Sequence, residues 1–189
     1  MIFITGHHNT GKSTISNYLE QFGFVHIETG DVIREIHKKI APEMEFIKWA
    51  ESMSDSLNDF IVEKALIARK IVLNSDDLQD VIISGNRQMS GINYVMRHAQ
   101  PINRRKNLTI FLYADDKILF QRQCARLDRK IPGLTLARFK EEILQYDIKM
   151  GVDEIKEKAD AIISNNYSLE ELKTNVENKL IQVGYKIKK

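Results

Sequence analysis

Four apolar or β-branched residues, Ile2-Phe3-Ile4-Thr5, run straight into Gly6. Gly6-His7-His8-Asn9-Thr10-Gly11-Lys12-Ser13 then fits the spacing G-x-x-x-x-G-K-[ST] at every fixed position. No other stretch constrains the fold as strongly, because this loop has to leave a strand and enter a helix. Both flanks comply. Ile15, Tyr18, Leu19 and Phe22 recur at helical spacing, and Gly23 closes the run. In such a loop, backbone N–H groups converge on a β-phosphate at the helix N-terminus. The glycines permit dihedrals that other residues avoid. Lys12 brings a point charge to the β- and γ-phosphates, and the Ser13 hydroxyl faces Mg²⁺. Residues 6–14, Thr14 included, are therefore the candidate ATP site. His7 and His8 read as decoration of the loop, since phosphoryl transfer mainly needs positioning and charge.

Strand-like and helix-like segments alternate along the rest of the chain. Residues 2–5, 24–27, 80–84, 108–114 and 160–164 read as short apolar strands. Helical patterns fall at 12–22, 31–41, 54–73, 90–99, 115–127 and 135–150, and a Ser168/Glu171 capping box opens a last helix. Pro42 and Pro101 close two of these helices, and 128–134, with Pro132 and Gly133, reads as a loop. Short apolar strands separated by helices predict an α/β fold, a five-stranded parallel sheet with helices on both faces in three layers.

The chain of 189 residues suits one domain, 1–189. A net charge of +2 gives no reason to expect nucleic-acid binding. Cys124 is the one cysteine, so no internal disulfide and no cysteine-rich metal site is expected, and a reduced, cytoplasmic setting fits. No charged leader precedes a long apolar run, and no stretch reaches the roughly 18 apolar residues of a membrane span. The chain is expected to work away from membranes, as a monomer or homodimer, on small-molecule nucleotide substrates.

Further segments point to an acceptor. Glu28-Thr29-Gly30-Asp31-Val32-Ile33-Arg34 resembles the S-T-G-D-x-x-R segment of adenylate kinase and related nucleoside monophosphate kinases. The resemblance implies a P-loop NTPase fold with a short lid at about 128–140 and a helical acceptor-binding region at 43–73. It implies that Thr29 and Gly30 border the acceptor base and that Arg34 holds its phosphate. The residues themselves make Asp31 an N-cap, with Arg34 in the first turn, off the Ile36/Ile40 stripe. Val81 to Gln88 resembles the family's third strand, so that Gly85 and Arg87 match its glycine and an acceptor-phosphate arginine. The usual strand-end aspartate, which orders the Mg²⁺ water shell, is Ser84 here, and Asp31 is a candidate to compensate.

Arg122 and Arg126 lie four apart on one predicted helical face. In monophosphate kinases one arginine of such a pair packs on the donor adenine and the other reaches phosphate. Arg129 and Lys130 add charge to the lid, and Arg138 is a weaker candidate. Ala159 to Leu172 resembles the fifth strand and turn of dephospho-coenzyme A kinases, which places Asn165 or Asn166 against the donor base. Tyr167 stands where that pattern has glycine. Three activities stay open on these residues: phosphoryl transfer to a nucleoside or deoxynucleoside monophosphate, dephospho-coenzyme A kinase-like phosphorylation of a hydroxyl with Asp31 as base, and a regulatory P-loop ATPase without a small acceptor. In the first, Lys12, Arg87, Arg122 and Arg126 carry the transfer, with ATP and Mg²⁺ as cofactors.

Overall fold

The computed structural model describes residues 1–52, 64, 81–98, 107–127 and 130–187. The expected helix at 54–73, most of the 43–73 acceptor region, Pro101, Arg129 and the first two lid positions lie outside the described residues.

Five strands, β1 (Ile2–Thr5), β2 (Val25–Glu28), β3 (Val81–Ser84), β4 (Leu108–Tyr113) and β5 (Ala161–Ser164), form one sheet in the order β2-β3-β1-β4-β5. Every neighbouring pair is parallel, and the central register pairs Ile2 with both Ile82 and Leu108. β1 is apolar on both faces because both are covered, and all four of its residues are buried.

Strand alternation sorts the core into two halves. Phe3, Ile83 and Phe111 pack against α2 (Thr29–Ile40), α4 (Met89–His98) and α8 (Val152–Lys158) through Val32, Ile92, Val95, Val152 and Ile155. Ile2, Ile4, Ile82, Ile110 and Leu112 pack the other way, on Ile15 and Leu19 of α1 (Lys12–Glu20) and Leu172, Val176 and Leu180 of α9 (Leu169–Gln182). These are the three layers read from the sequence. A smaller cluster of Ala114, Leu119, Phe139 and Leu144 joins α5 (Asp116–Ala125) to α6 (Leu136–Phe139) and the π-helical turn Lys140–Leu144 that continues it. α3 (Phe46–Ser52) follows α2.

Several boundaries differ from expectation. α2 starts at Thr29 with Glu28 as its N-cap, so Asp31 lies inside the first turn and does not cap. α5 ends at Ala125, and Arg126 has extended backbone, φ −72° and ψ 127°, so it does not share a helical face with Arg122. The helix expected at 135–150 comprises α6, the π turn and α7 (Gln145–Lys149). Gly151, at φ 95°, then turns the chain into α8, a helix the sequence pattern did not reveal. Ser168 caps α9 as expected, its hydroxyl accepting the Glu171 N–H at 3.1 Å.

Among the described residues, no helix is long and apolar enough to cross a membrane.

Candidate active site

The loop leaves the centre of the sheet at the C-terminal end of β1, where chain order reverses from β3 to β4 and α/β sheets open a crevice. Gly6 has φ 136°, and a Cβ there would collide with the Leu112 carbonyl, so only glycine lets the loop leave so close to β4. Asn9 is the one described non-glycine with positive φ, 64°. Its amide donates to Leu119 O at 3.3 Å and Gln123 Oε1 at 2.9 Å, which fixes this left-handed residue to α5. α1 begins at Lys12, so the first N–H groups of the helix face the crevice together with the loop.

Lys12 Nζ folds back on the loop and donates to Gly6 O at 2.8 Å and His7 O at 2.7 Å. Burial, then the positive charge of Arg87, brings its pKa from 10.5 down to about 7, against the opposing pull of Glu28. Two carbonyls stabilise an ammonium less than a polyphosphate would.

The crevice has a volume of about 1680 Å³ and runs from Lys12 and Ser13 past Glu28 to Arg34 and Arg87. It exceeds the roughly 300–1,000 Å³ of a pocket for a single small ligand.

Glu28 supplies the acid that Ser84 lacks. Its Oε2 accepts from Ser84 Oγ at 2.7 Å and from Ser13 Oγ at 3.1 Å. Because the Ser84 hydroxyl donates to Glu28, His26 Nε2, 2.7 Å from Ser84 Oγ, donates to it. Ser84 is fully buried and serves to hold this carboxylate. Asp31 accepts from Arg34 Nη2 at 2.6 Å. A Cβ on Gly85 would run into the Glu28 carboxylate, which explains a glycine at φ 88° there. The donor set suits Mg²⁺: one hydroxyl and one carboxylate, all oxygen, beside a phosphate loop. No cluster of three or more His, Cys, Asp or Glu fit for a metal occurs among the described residues. Mg²⁺ usually keeps its waters and binds with substrate phosphates, so no complete protein cage is required.

Arg34 and Arg87 both line the crevice, as do Gly30 and Thr29. Arg87 is held from behind. Its Nη1 donates to Asp147 Oδ1, and its guanidinium lies 5.2 Å above the Tyr146 ring. Beyond Arg34, the rings of His37, Phe46 and Trp49 form an aromatic cluster on the crevice wall, with centroids 4.9–6.1 Å apart.

On the donor side, Arg122 Nη1 donates to Asn9 O at 3.3 Å and Nη2 to Asn165 O at 2.8 Å. Arg126 Nη1 reaches Asn9 Oδ1 at 3.2 Å. The two arginines thus meet at the loop despite lying on different backbone. Asn165 is buried, with Nδ2 donating to Thr10 O at 2.9 Å. Tyr167 is exposed and does not line the crevice.

The loop histidines are not decoration. His8 N donates to Asp147 Oδ2 at 2.7 Å, and His7 Nε2 lies 3.1 Å from Asp153 Oδ1 on α8. Burial lowers the His7 pKa more than Asp153 raises it. Sequence reading missed Glu28, Asp147 and the aromatic cluster. Asp147 did leave a trace: it falls on the apolar stripe Leu136, Phe139, Ile143 and Leu144, where an acid has no business unless it is partnered.

The AAA domain family model matches residues 2–145. A UPF0200 protein of Saccharolobus islandicus (strain L.S.2.15 / Lassen #1) is 25% identical over 181 residues, which cover 94% of this chain and 90% of that protein. Shikimate kinase from Bacteroides thetaiotaomicron superposes with a TM-score of 0.65 at 15% identity, over 97% of this chain and 98% of its own. A gluconokinase from Sinorhizobium meliloti 1021 gives 0.55 at 19% identity, over 96% and 95%. The fold is that of a P-loop kinase.

Proposed function

Since this chain belongs to the AAA domain family of P-loop proteins, we propose that it is an ATP-dependent phosphotransferase acting on a nucleoside or deoxynucleoside monophosphate. One observation carries this reading: Lys12, Arg34 and Arg87 all line one large crevice. A switch ATPase needs one phosphate pocket; this crevice has cations for two. The His37, Phe46 and Trp49 rings beyond Arg34 supply an aromatic wall of the kind that suits a planar base.

ATP with Mg²⁺ supplies the phosphoryl group and neutralises part of its charge. The loop N–H groups and Lys12 hold the donor phosphates in line with the acceptor. Ser13 and Glu28 are the residues that would hold the ion, directly or through its waters. Arg34 and Arg87 hold the acceptor phosphate, whose ionised oxygen attacks without a general base. Arg122 and Arg126 turn from the loop to the transferring group as charge spreads over its oxygens. The lid at about 128–140 closes over the crevice and excludes water.

A second reading rests on Glu28. A carboxylate beside Ser13 is placed to accept a proton from a hydroxyl acceptor, and the superposed kinases are named for shikimate and gluconate. Incubation with ATP-Mg²⁺ and a panel of nucleoside monophosphates, deoxynucleoside monophosphates, dephospho-coenzyme A and small polyols separates the two. ADP release that depends on one monophosphate supports the first. Release that depends only on a hydroxyl acceptor supports the second, and turnover indifferent to every acceptor refutes both.

A further inference from the structure

Asp147 sits on α7, in the arm that follows the lid region, and its side chain is 0% exposed. A buried carboxylate next to a phosphate site is costly, because it repels the ligand and loses its water. Its partners show what offsets that cost. Oδ2 accepts the His8 N–H at 2.7 Å and lies 3.0 Å from His8 Nδ1, while Oδ1 accepts from Arg87 Nη1. Arg87 Nη2 approaches His8 Nε2 at 3.1 Å, which closes a ring of carboxylate, imidazole and guanidinium. Proton directions in this ring are fixed. Nε2 accepts from Arg87 only without a proton of its own, so Nδ1 carries the proton and donates it to Asp147. All the donors come from two loops of the crevice, the donor loop and the turn after β3. None comes from the hydrophobic core.

We propose that Asp147 is a positioning residue for transfer: through one carboxylate it sets Arg87 at a fixed distance and angle from the donor loop. The proposal rests on the phosphotransferase reading above. The carboxylate touches neither substrate. It fixes the guanidinium plane against the Tyr146 ring and leaves the 29% exposed side chain facing the crevice. It also ties the arm after the lid to the loop, a link that His7 and Asp153 repeat one helix further on.

The test is Asp147→Asn, which keeps the shape but turns one acceptor oxygen into a donor, so that His8 and Arg87 cannot both be served. Acceptor-dependent kcat should fall by about 10²-fold, the cost of a misplaced group near the chemistry. KM for ATP should move by no more than about threefold. In an Arg87→Ala background, Asp147→Asn should cost nothing further, because its effect passes through Arg87. Arg87→Lys, which keeps the charge but cannot span Asp147 and His8, should show the same kcat loss and guards against a folding defect of the first variant. A readout independent of turnover is the ¹⁵N spectrum of the His8 ring and the Arg87 guanidinium. The wild type should show the Nδ1–H tautomer, and Asp147→Asn should change that tautomer or the Arg87 Nη signals. Additive kinetic losses, or spectra that Asp147→Asn leaves unchanged, would overturn the proposal. A wild type without any acceptor-dependent turnover would instead refute the kinase reading and leave the spectral result standing.

Discussion

Lys12 makes nucleotide binding a proton-coupled event. Against the Gly6 and His7 carbonyls its pKa is about 7, because the Nζ end is buried and Arg87 and Arg126 lie near it. Donor phosphates replace two neutral carbonyls with several negative oxygens and return the group to its charged form. At about pH 8 Lys12 so placed holds only about 0.1 proton, so binding takes up about 0.9 proton from solvent. The cost is one pKa unit, about 1.4 kcal/mol, so the nucleotide binds about tenfold more weakly at about pH 8 than at about pH 6. Calorimetric titration of ADP at about pH 8, in two buffers of different ionisation enthalpy, reads the uptake as a difference in apparent binding enthalpy. Lys12→Arg is the control. A guanidinium stays charged throughout this range, so its titration should show no uptake beyond that of the nucleotide itself. The reasoning is refuted if the wild type gives the same enthalpy in both buffers, or if Lys12→Arg retains the wild-type buffer dependence.

Arg34→Ala should raise the acceptor KM while leaving ATP affinity nearly intact, and an equal loss of both would remove Arg34 from its assigned place. Glu28→Gln should lower activity by about 10- to 100-fold and raise the Mg²⁺ concentration needed for half-maximal rate, as loss of an outer-shell partner does. A Mg²⁺ titration identical to wild type would show that Glu28 does not serve the ion. Burial, the largest influence on each, lowers the pKa of both His7 and His26 below 6.5. The unfolded chain therefore binds protons first, so stability is held above about pH 6.5 and lost as pH falls through the folded values. Urea midpoints should drop between about pH 7.5 and 5.5, with a smaller drop in a His7→Gln, His26→Gln double variant. Equal drops in the two proteins would mean that carboxylates alone carry the effect.

What the sequence disclosed was what short-range pattern encodes. Gly6 to Ser13 has fixed spacing, flanked by a strand and a helix that each announce themselves by period, so the loop could be placed from residues alone. Short strands apolar along their whole length, separated by helices, led to three layers for the same reason. Glu28 escaped notice because its role depends on β2 and β3 lying side by side, which brings it to Ser84 from 56 residues away. Asp147 reaches His8 across 139 residues, beyond any local pattern. Val152 to Lys158 hid as a helix because charges fill all but two apolar positions, Val152 and Ile155. Arg126 shows the converse error: helical spacing suggested a shared face, and an early helix end removed it, yet both arginines still arrive at Asn9.

The strand order has a consequence for how the protein is made. β1 stands in the middle of the sheet, and its two neighbours are β3 and β4. Its first residue pairs with Ile82 on one side and Leu108 on the other. During synthesis, then, the strand that carries the donor loop emerges with no sheet to join. Well over half the chain must leave the ribosome before both its edges are paired, and such non-local pairing is slow. The strand that leads into the donor loop is among the last to be paired on both edges, and until then Ile2, Phe3 and Ile4 are an unpaired apolar run. Nucleotide in the cell can protect only the finished fold, so a variant that delays β4 should be lost to aggregation or proteolysis even where its final stability is normal.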